Sequence, residues 1–281
     1  MTESGAFVRD SKVVARLRAA GCVFAEDEAR LLVSAARTRD ELDAMVARRA
    51  GGEPLEQVVG HAEFAGLRVL VDPGVFVPRR RSEFLVEVAV SLAGGPGRGA
   101  PWVVVDLCCG TGALGLAVTA GLAGAGGAEL HAADVDPAAV ACARRNVEPV
   151  GGYVYGGDLF GALPDALRGR ADVLICNAPY VPTGQIAFLP AEARDHEAPM
   201  ALDGGGDGLA ILRRVAGEAG AWLAPGGVLL VETSELQAPD MAAVMTDAGL
   251  AAQVHEDDES GATVVTGCQR DSGRLGTTGC A

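Results

Sequence analysis

The stretch VVVDLCCGTGALG, residues 103–115, decides the fold class of this 281-residue chain. Its apolar run predicts a buried strand that ends at Asp106, and the glycines at 110, 112 and 115 predict a tight turn into a helix. In an open α/β sheet, ligands bind at the carboxyl ends of the strands, where the strand order reverses. We therefore expect this turn to bind a cofactor.

Strand and helix patterns alternate through the rest of the chain. Helices are expected from about residue 113, from Pro137 to Asn146, near 208–222 and near 239–248. The expected strands are WVVVDL, ELHAAD, a third strand that ends near Asp158, ADVLIC, GVLLVE, and a closing antiparallel pair, AAQVHEDD and ATVVTGC. This alternation predicts an α/β fold with a mostly parallel, Rossmann-like sheet.

Four segments are expected along the chain. Residues 1–53 carry apolar residues at helical spacing and predict a small helical N-terminal domain. Residues 54–80 alternate around Ala-Gly and Asp-Pro-Gly turns and predict a β-hairpin linker. Residues 81–270 form the predicted catalytic domain, which begins with a helix in RRRSEFLVEVAVSLAGG that ends at a Gly-Pro-Gly linker. Residues 271–281 are expected to form a flexible tail.

The glycine turn also matches the GxGxxG pattern of dinucleotide-binding proteins, which by itself is a weak signal. In those proteins the turn binds a pyrophosphate, whereas here Asp106 and two cysteines precede the first glycine. A carboxylate repels a pyrophosphate but attracts an ammonium or a sulfonium group. The turn therefore favours S-adenosylmethionine, which carries both cations and no phosphate. A purely structural strand-end cap is the alternative role for Asp106.

Asp134 ends the next strand, 19 residues after Gly115. A carboxylate at this position accepts hydrogen bonds from the ribose hydroxyls of a bound nucleoside. Asp136 is expected instead to cap the helix that begins at Pro137.

Asp158 lies in the sequence GGDLF, where the third strand is expected to end. Leu159 and Phe160 would then flank an adenine ring. Taken alone, Asp158 fits a turn residue equally well.

The segment LICNAPYVP, residues 174–182, places an amide at the end of an apolar strand. Pro179 holds Ala178 in an extended conformation, so Asn177 lies on a stiff corner. A nitrogen conjugated to a π-system is a weak nucleophile that is best oriented through both of its N–H groups. Asn177 Oδ1 and the Ala178 carbonyl offer two acceptors, and Tyr180 offers a ring for stacking. The alternative is that Asn177 only caps a turn.

The charge balance argues against nucleic acid as a partner. The chain has a formal net charge of −14, and Lys12 is its only lysine. Residues 51–281 hold 29 acidic and 14 basic side chains, although Arg79, Arg80 and Arg81 form a local basic run. An ordinary solvated turn is the alternative for that run.

The seven cysteines form no CxxC pair and have no metal-ligand spacing, so no metal is expected. Glycine, proline or charged residues interrupt every apolar stretch before about 18 residues, which is too short to span a membrane. We expect a cytoplasmic protein with no membrane partner, and a monomer.

The motifs together resemble the HemK/PrmC-type protein glutamine-N5 methyltransferases. The resemblance covers nearly the whole chain, through EPLEQVVGHAEFAGLRVLVDPGVFVPRR, DLCCGTGALGLAV, AADVDPAAVACARRN, GDLF, NAPYVP, HEAPMALDGGGDGL and LAPGGVLLVE. It implies a seven-stranded class I methyltransferase with a helical N-terminal domain that binds the protein substrate. The implied reaction transfers a methyl group from S-adenosylmethionine to the side-chain amide nitrogen of a glutamine in a protein.

The resemblance also implies roles for particular residues. The implied cofactor contacts are Asp106, Cys108, Gly110, Gly112, Asp134, Val135, Asp158, Leu159 and Asn177. The implied catalytic and substrate-binding segment is Asn177, Ala178, Pro179 and Tyr180, with Arg79 and Glu197 as further substrate-binding residues.

The chain departs from the family pattern at several positions, which indicates a divergent branch. Ala178 replaces the first proline of Asn-Pro-Pro-Tyr, and Cys108 replaces the first glycine of the cofactor loop. The usual Pro-Arg-Pro-Glu-Thr-Glu reads PRRRSE here, and the helical region is shorter than the family norm. The acceptor of this branch therefore need not be a release factor or a ribosomal protein.

Other functions remain open on the sequence alone. The same signature serves N-methylation of an exocyclic amine of adenine or guanine in nucleic acid, or of a small-molecule nitrogen. A cofactor-binding regulatory protein with a degenerate site and a nicotinamide oxidoreductase are alternatives from other classes. The intact Asn177 segment disfavours a degenerate site. A nicotinamide oxidoreductase is disfavoured because its pyrophosphate would have to lie beside Asp106.

Overall fold

The structure, a computed structural model, describes residues 3–93 and 101–269, without the side chains of residues 3–10. The linker at Gly95–Gly97 and the tail at 271–281 that the sequence predicts lie outside these residues. The helices are α1 (Glu3–Ala19), α2 (Ala25–Ala35), α3 (Arg39–Ala50), α4 (Leu55–Val59), α5 (Glu83–Ala93), α6 (Ala113–Gly121), α7 (Pro137–Val147), α8 (Ala191–His196), α9 (Ala210–Ala219) and α10 (Ala238–Asp247). The strands are β1 (His61–Phe64), β2 (Leu67–Leu70), β3 (Trp102–Leu107), β4 (Ala128–Asp134), β5 (Tyr153–Gly156), β6 (Ala171–Cys176), β7 (Leu223–Thr233), β8 (Leu250–Asp257) and β9 (Ala262–Gln269).

Seven of the described strands form one sheet in the order β5-β4-β3-β6-β7-β9-β8. The strands from β5 to β7 are parallel, whereas β9 runs antiparallel to β7 and β8. The chain proceeds outward from β3 on one side and from β6 on the other, so the strand order reverses between them. This confirms the predicted mostly parallel α/β fold and places its ligand site at the ends of β3 and β6.

The central strands are apolar because helices cover both faces of the sheet. Every residue of β6 is buried, and its alternate side chains enter two separate cores. Leu174 joins a core with Trp222 and Phe160 on one face. Ile175 joins a core with Leu85 on the other face. The sheet is therefore a rigid support for the residues that follow its strands.

The helical unit formed by α1, α2 and α3 has a small core of its own that contains Leu17, Leu32 and Met45. Thr38 caps α3, because its side chain accepts a hydrogen bond of 3.1 Å from the Glu41 N–H. All three helices were predicted from the sequence.

The predicted hairpin linker differs from the structure at its start. Residues 55–59 form the short helix α4, and only β1 and β2 form the hairpin, around Ala65 and Gly66. Gly60 ends the helix in the left-handed conformation, with φ of 80°. The alternation of apolar residues was correct for the hairpin but does not distinguish a single helical turn before it.

Asn146 on α7 fixes the hairpin against the catalytic domain. Its Oδ1 accepts from the Leu70 N–H at 2.9 Å, and its Nδ2 donates to the Leu70 carbonyl at 2.9 Å and to the Thr111 carbonyl at 3.0 Å. Thr111 belongs to the glycine turn after β3. One side chain therefore joins β2, α7 and the predicted cofactor turn.

Within the part of the chain that the structure describes, no helix is both long and apolar enough to cross a bilayer. The same residues contain no group of three histidine, cysteine, aspartate or glutamate side chains arranged to hold a metal ion.

Candidate active site

A cavity of about 670 Å³ lies at the carboxyl ends of the central strands. The register explains its position, because Leu107 at the end of β3 pairs with Ala133 of β4 and Cys176 of β6. The residues that follow these pairs are Cys108, Asp134 and Asn177, and all three line the cavity. The cavity thus joins the glycine turn to the Asn177 segment, as the sequence predicts.

The glycine turn has left-handed backbone at three positions. Gly110 and Gly112 have φ of 55° and 79°, and Cys108 also has φ of 55°. A Cβ at Gly112 would lie 2.7 Å from a Val147 methyl carbon, and one at Gly115 would lie 2.6 Å from a Leu130 methyl carbon. Gly112 and Gly115 therefore allow α6 to pack closely on its neighbours, while Gly110 and Cys108 line the cavity.

Asp106 is fully buried and is not part of the cavity surface. Its Oδ2 accepts a hydrogen bond of 2.9 Å from the Gly115 N–H in the first turn of α6, and its Oδ1 has no partner among the residues that the structure describes. Burial raises the pKa of this carboxyl to about 7. The structure therefore gives Asp106 the strand-end capping role that the sequence left as the alternative, and a direct contact with a cofactor stays a prediction.

Asp134 faces the cavity with an oriented carboxylate. Its Oδ2 accepts from the Gly110 N–H at 2.8 Å, and its Oδ1 accepts from the Asp136 N–H at 2.9 Å. Burial raises the pKa of Asp134. Val135 lines the same wall, and Asp136 caps α7 through the Ala138 N–H at 2.9 Å, as expected.

Asp158 and Leu159, which were expected beside the cofactor, are not among the residues that line the cavity. Asp158 pairs with Arg214 at 2.6 Å on the surface. Leu159 is buried in the sheet core with φ of 47°, and Phe160 stacks on Trp222 with ring centroids 5.4 Å apart. The GDLF motif thus packs the domain in this structure, and its contact with adenine stays a prediction.

The Asn177 side chain is held through its nitrogen. Nδ2 lies 3.3 Å from Glu232 Oε2 and 3.3 Å from Ser82 Oγ. Asn177 Oδ1 accepts no hydrogen bond from the described residues, and neither does the Ala178 carbonyl. Asn177 and Ala178 both line the cavity, and the acceptor role expected for these two oxygens stays a prediction.

Tyr180 is fixed on the same network. Its hydroxyl donates to Glu232 Oε1 at 3.1 Å and accepts from Arg81 Nη2 at 2.5 Å. Burial and the Glu232 charge raise the pKa of Tyr180, so its ring remains neutral. Pro179 and Tyr180 both line the cavity, next to Asn177 in the chain.

Arg79 and Glu197 bind each other. Arg79 Nη2 donates to Glu197 Oε1, which also accepts from the Val77 N–H at 3.4 Å. Arg79 lines the cavity, whereas the Glu197 side chain is fully buried. Glu197 therefore holds Arg79 in place, and contact of Glu197 with a substrate stays a prediction.

Three further residues belong to this network but were not predicted as site residues from the sequence: Ser82, Arg81 and Glu232. Glu232 follows Val231, the residue that pairs with Cys176 across β6 and β7, which puts it beside Asn177. The charged end of the apolar run GVLLVE was the available signal, because a glutamate that ends a central strand faces the ligand edge of the sheet.

The cavity lining fits S-adenosylmethionine. The Asp134 carboxylate offers acceptors for hydroxyl groups, and the glycine turn approaches through backbone rather than bulky side chains. Two cations line the described cavity: Arg81 binds Tyr180 and Glu232 of the Asn177 network, and Arg79 binds Glu197. The residues of the glycine turn therefore suit a nucleoside without a phosphate.

Comparison with known proteins agrees with this geometry. The methyltransferase small domain family matches residues 66–216. A release factor glutamine methyltransferase of Streptomyces coelicolor is 36% identical over 203 residues, which cover 72% of this chain and 70% of the relative. One of Bradyrhizobium diazoefficiens is 33% identical over 257 residues, which cover 85% of each chain. A 4-amino-L-phenylalanine/4-methylamino-L-phenylalanine methyltransferase of Streptomyces pristinaespiralis is 36% identical over 73% of this chain and 69% of its own.

Solved structures show the same fold. A methyltransferase from Pyrococcus furiosus superposes with a TM-score of 0.52 at 17% identity, over 73% of this chain and 90% of its own. The 16S rRNA methyltransferase RsmC of T. thermophilus, solved with AdoMet and guanosine, superposes with a TM-score of 0.51 at 22% identity, over 75% of this chain and 50% of its own. The family match and the curated relatives together show that this chain belongs to the methyltransferase small domain family and, within it, to the HemK/PrmC-type glutamine methyltransferases, which are S-adenosylmethionine-dependent enzymes.

Proposed function

We propose that this enzyme methylates the side-chain amide nitrogen of a glutamine in a protein substrate. The observation that carries the proposal is the Asn177 amide, which lines the cavity next to Ala178 and is held through Nδ2, while its Oδ1 accepts no hydrogen bond from the described residues. Two acceptors at one corner match the two N–H groups of a primary amide. Relatives that cover most of the chain are named release factor glutamine methyltransferases, which supports a release factor as the acceptor protein.

The chain's own residues orient the acceptor and need no general base before attack. Asn177 Oδ1 and the Ala178 carbonyl accept the two amide N–H groups, and Tyr180 offers a flat, neutral ring beside them. This orientation converts a weak nucleophile into one that is correctly placed, which is the main contribution that positioning makes to catalysis. When bound, S-adenosylmethionine supplies the methyl group from its sulfonium centre. The nitrogen loses one proton after it gains the methyl group.

A small amino acid amine is the second candidate acceptor. The observation in its favour is the Streptomyces pristinaespiralis relative, which is named for a 4-amino-L-phenylalanine acceptor and matches this chain at 36% identity. An aryl amine also has a delocalised lone pair and two N–H groups, so the corner at Asn177 offers it the same two acceptors.

The test compares the two acceptors in one assay. The enzyme is incubated with labelled methyl donor and either a bacterial release factor or 4-amino-L-phenylalanine, and the labelled residue is mapped by mass spectrometry. We expect label on a release-factor glutamine and none on the free amino acid. Label on the free amino acid alone would overturn the proposal.

Asn177→Ala is the matching variant. It removes one of the two acceptors for the substrate amide but no residue of the Asp134 wall. We expect turnover to fall at least 100-fold while the dissociation constant of S-adenosylmethionine, measured by calorimetry, changes less than threefold. Loss of donor binding in this variant would contradict the assignment of Asn177 to the acceptor.

A further inference from the structure

We propose that Glu232 is a positioning residue that fixes and polarises the Asn177 amide for methyl transfer. This inference rests on the proposed function, since it concerns how the acceptor nitrogen is held. Glu232 lies in β7, beside the end of β6, and is only 2% exposed. It is outside the cavity lining, so it acts on the acceptor through Asn177.

Both oxygens of Glu232 have defined partners. Oε2 accepts from Asn177 Nδ2 at 3.3 Å, while Oε1 accepts from the Tyr180 hydroxyl at 3.1 Å and from Arg81 Nε at 3.2 Å. The Glu232 carboxylate therefore links Asn177 and Tyr180, the two side chains beside the proposed position of the acceptor amide. Neither of them can rotate without losing a bond to a buried charge.

A carboxylate at this position determines which way the amide faces. An ionised carboxylate is only an acceptor, so it holds the Asn177 NH2 group toward itself and repels the opposite orientation, in which Oδ1 would face Oε2. Ser82 Oγ accepts from the same NH2 group at 3.3 Å. Asn177 Oδ1 is thereby kept on the cavity side, where the acceptor N–H lies.

The same contact strengthens Oδ1 as an acceptor. Hydrogen bonds to charged groups are stronger than neutral ones, and chained hydrogen bonds polarise one another. Donation from Nδ2 to the Glu232 charge moves electron density toward Oδ1. Oδ1 then holds the acceptor N–H more firmly as positive charge develops on that nitrogen.

Arg81 makes the buried charge tolerable. An isolated buried carboxylate is costly, and Arg81 supplies both a counter-charge and a hydrogen bond from the half-exposed edge of the site. Glu232 and Arg81 together leave the acceptor corner neutral overall.

Glu232→Gln tests the inference without changing the size of the side chain. A glutamine at this position presents either an oxygen or an NH2 group to Asn177, so both orientations of the Asn177 amide become populated. We expect kcat to fall about 10- to 100-fold, with acceptor KM, donor affinity and melting temperature nearly unchanged. Glu235→Gln, an exposed acid three residues later, is the control and should match the wild type.

A charge exchange separates orientation from mere packing. Asn177→Asp alone places two carboxylates against each other and should be almost inactive. In the double variant Asn177→Asp with Glu232→Gln, the new aspartate accepts from the new glutamine and keeps an oxygen for the acceptor N–H. We expect the double variant to recover at least tenfold in kcat over Asn177→Asp; a further loss instead would overturn the inference.

The contact itself is measured without any acceptor. The Asn177 side-chain NH2 signals in an NMR spectrum are assigned from their loss in Asn177→Ala. We expect Glu232→Gln, but not Glu235→Gln, to shift one of these proton signals upfield, as a charged hydrogen bond is lost. Unchanged signals would refute the role of Glu232, whereas a shift combined with no glutamine methylation would refute only the proposed acceptor.

Discussion

At the residue scale, Asp106 is a buried carboxyl that forms no ion pair within residues 3–93 and 101–269. It accepts one hydrogen bond from the Gly115 N–H, and the nearby Asp134 charge adds repulsion. Burial raises its pKa to about 7, against an ordinary value of 3.8. The native state therefore binds a proton more tightly than the unfolded state, so the stability of the fold decreases as pH rises from about 4 to 7 and stays lower above that range.

Asp106→Asn should remove this dependence. The asparagine Oδ1 still accepts from Gly115, but the side chain carries no charge at any pH. We compare the free energy of unfolding of the variant with that of the wild type at two pH values. The difference, variant minus wild type, should be about 2–3 kcal/mol larger at pH 8 than at pH 5, as expected for roughly two pKa units. Chemical denaturation at both pH values measures this difference, and a pH-independent difference would show that Asp106 is ionised throughout.

Asp134→Ala is compared with Asp106→Asn for binding of the methyl donor. Because Asp134 faces the cavity, we expect this variant to weaken S-adenosylmethionine binding by about 1.5–3 kcal/mol, whereas Asp106→Asn should change it less than threefold. Similar losses in both variants would show that Asp106 contacts the cofactor, as the family resemblance implies.

The residues that sequence predicted best are those that directly follow paired strand ends. Asp134 and Asn177 were identified because a polar residue that ends a buried strand faces the ligand edge of the sheet. Asp106, the penultimate residue of β3, and Asp158, two residues after β5, were also expected beside the cofactor, yet Asp106 accepts from the first turn of α6 and Asp158 pairs with Arg214. The direction of a side chain at a strand end depends on contacts with distant elements, and one sequence does not contain that information.

At the element scale, the hairpin of β1 and β2 forms part of the cavity wall. Phe64 of β1 and Phe76 in the segment that follows β2 both line the cavity. The hairpin is fastened to α7 by Asn146, and Arg145 adds an ion pair of 2.5 Å with Asp72. The alternation of apolar residues predicted the hairpin, but its attachment to α7 spans 76 residues and was not visible in the sequence.

Asn146→Ala should loosen the hairpin. The variant loses two hydrogen bonds to Leu70 and one to Thr111, which together contribute about 1–3 kcal/mol. We expect faster hydrogen exchange in residues 61–77 and three- to tenfold weaker donor binding. Arg144→Ala, on the exposed side of the same helix, is the control. Unaltered exchange in the hairpin would mean that the apolar contacts alone hold it.

At the scale of the whole molecule, the helical unit touches the acceptor side of the cavity through Arg49. This side chain binds the buried Glu28 through two hydrogen bonds of 2.7 and 3.0 Å and reaches Glu192 at 3.4 Å. Glu192 lies in α8 and lines the cavity. The sequence predicted helices α1, α2 and α3 and the alternating strands and helices of the sheet, but helix α8 was not predicted, because its six residues are too few to show a helical period.

Glu192→Gln should remove the ion pair that joins Arg49 of the helical unit to α8, without leaving an unpaired buried charge. The Arg49 pair with Glu28 remains, and only a half-exposed ion pair worth about 0.2–1 kcal/mol is lost. If the helical unit positions α8 for a protein acceptor, acceptor KM should rise about two- to fivefold while kcat, donor affinity and stability stay constant. Asp195→Asn, which removes a neighbouring exposed acid of the same helix, should leave KM unchanged. Steady-state kinetics with the release factor as the varied substrate distinguishes the two variants, and equal KM values would show that α8 keeps its position without the helical unit.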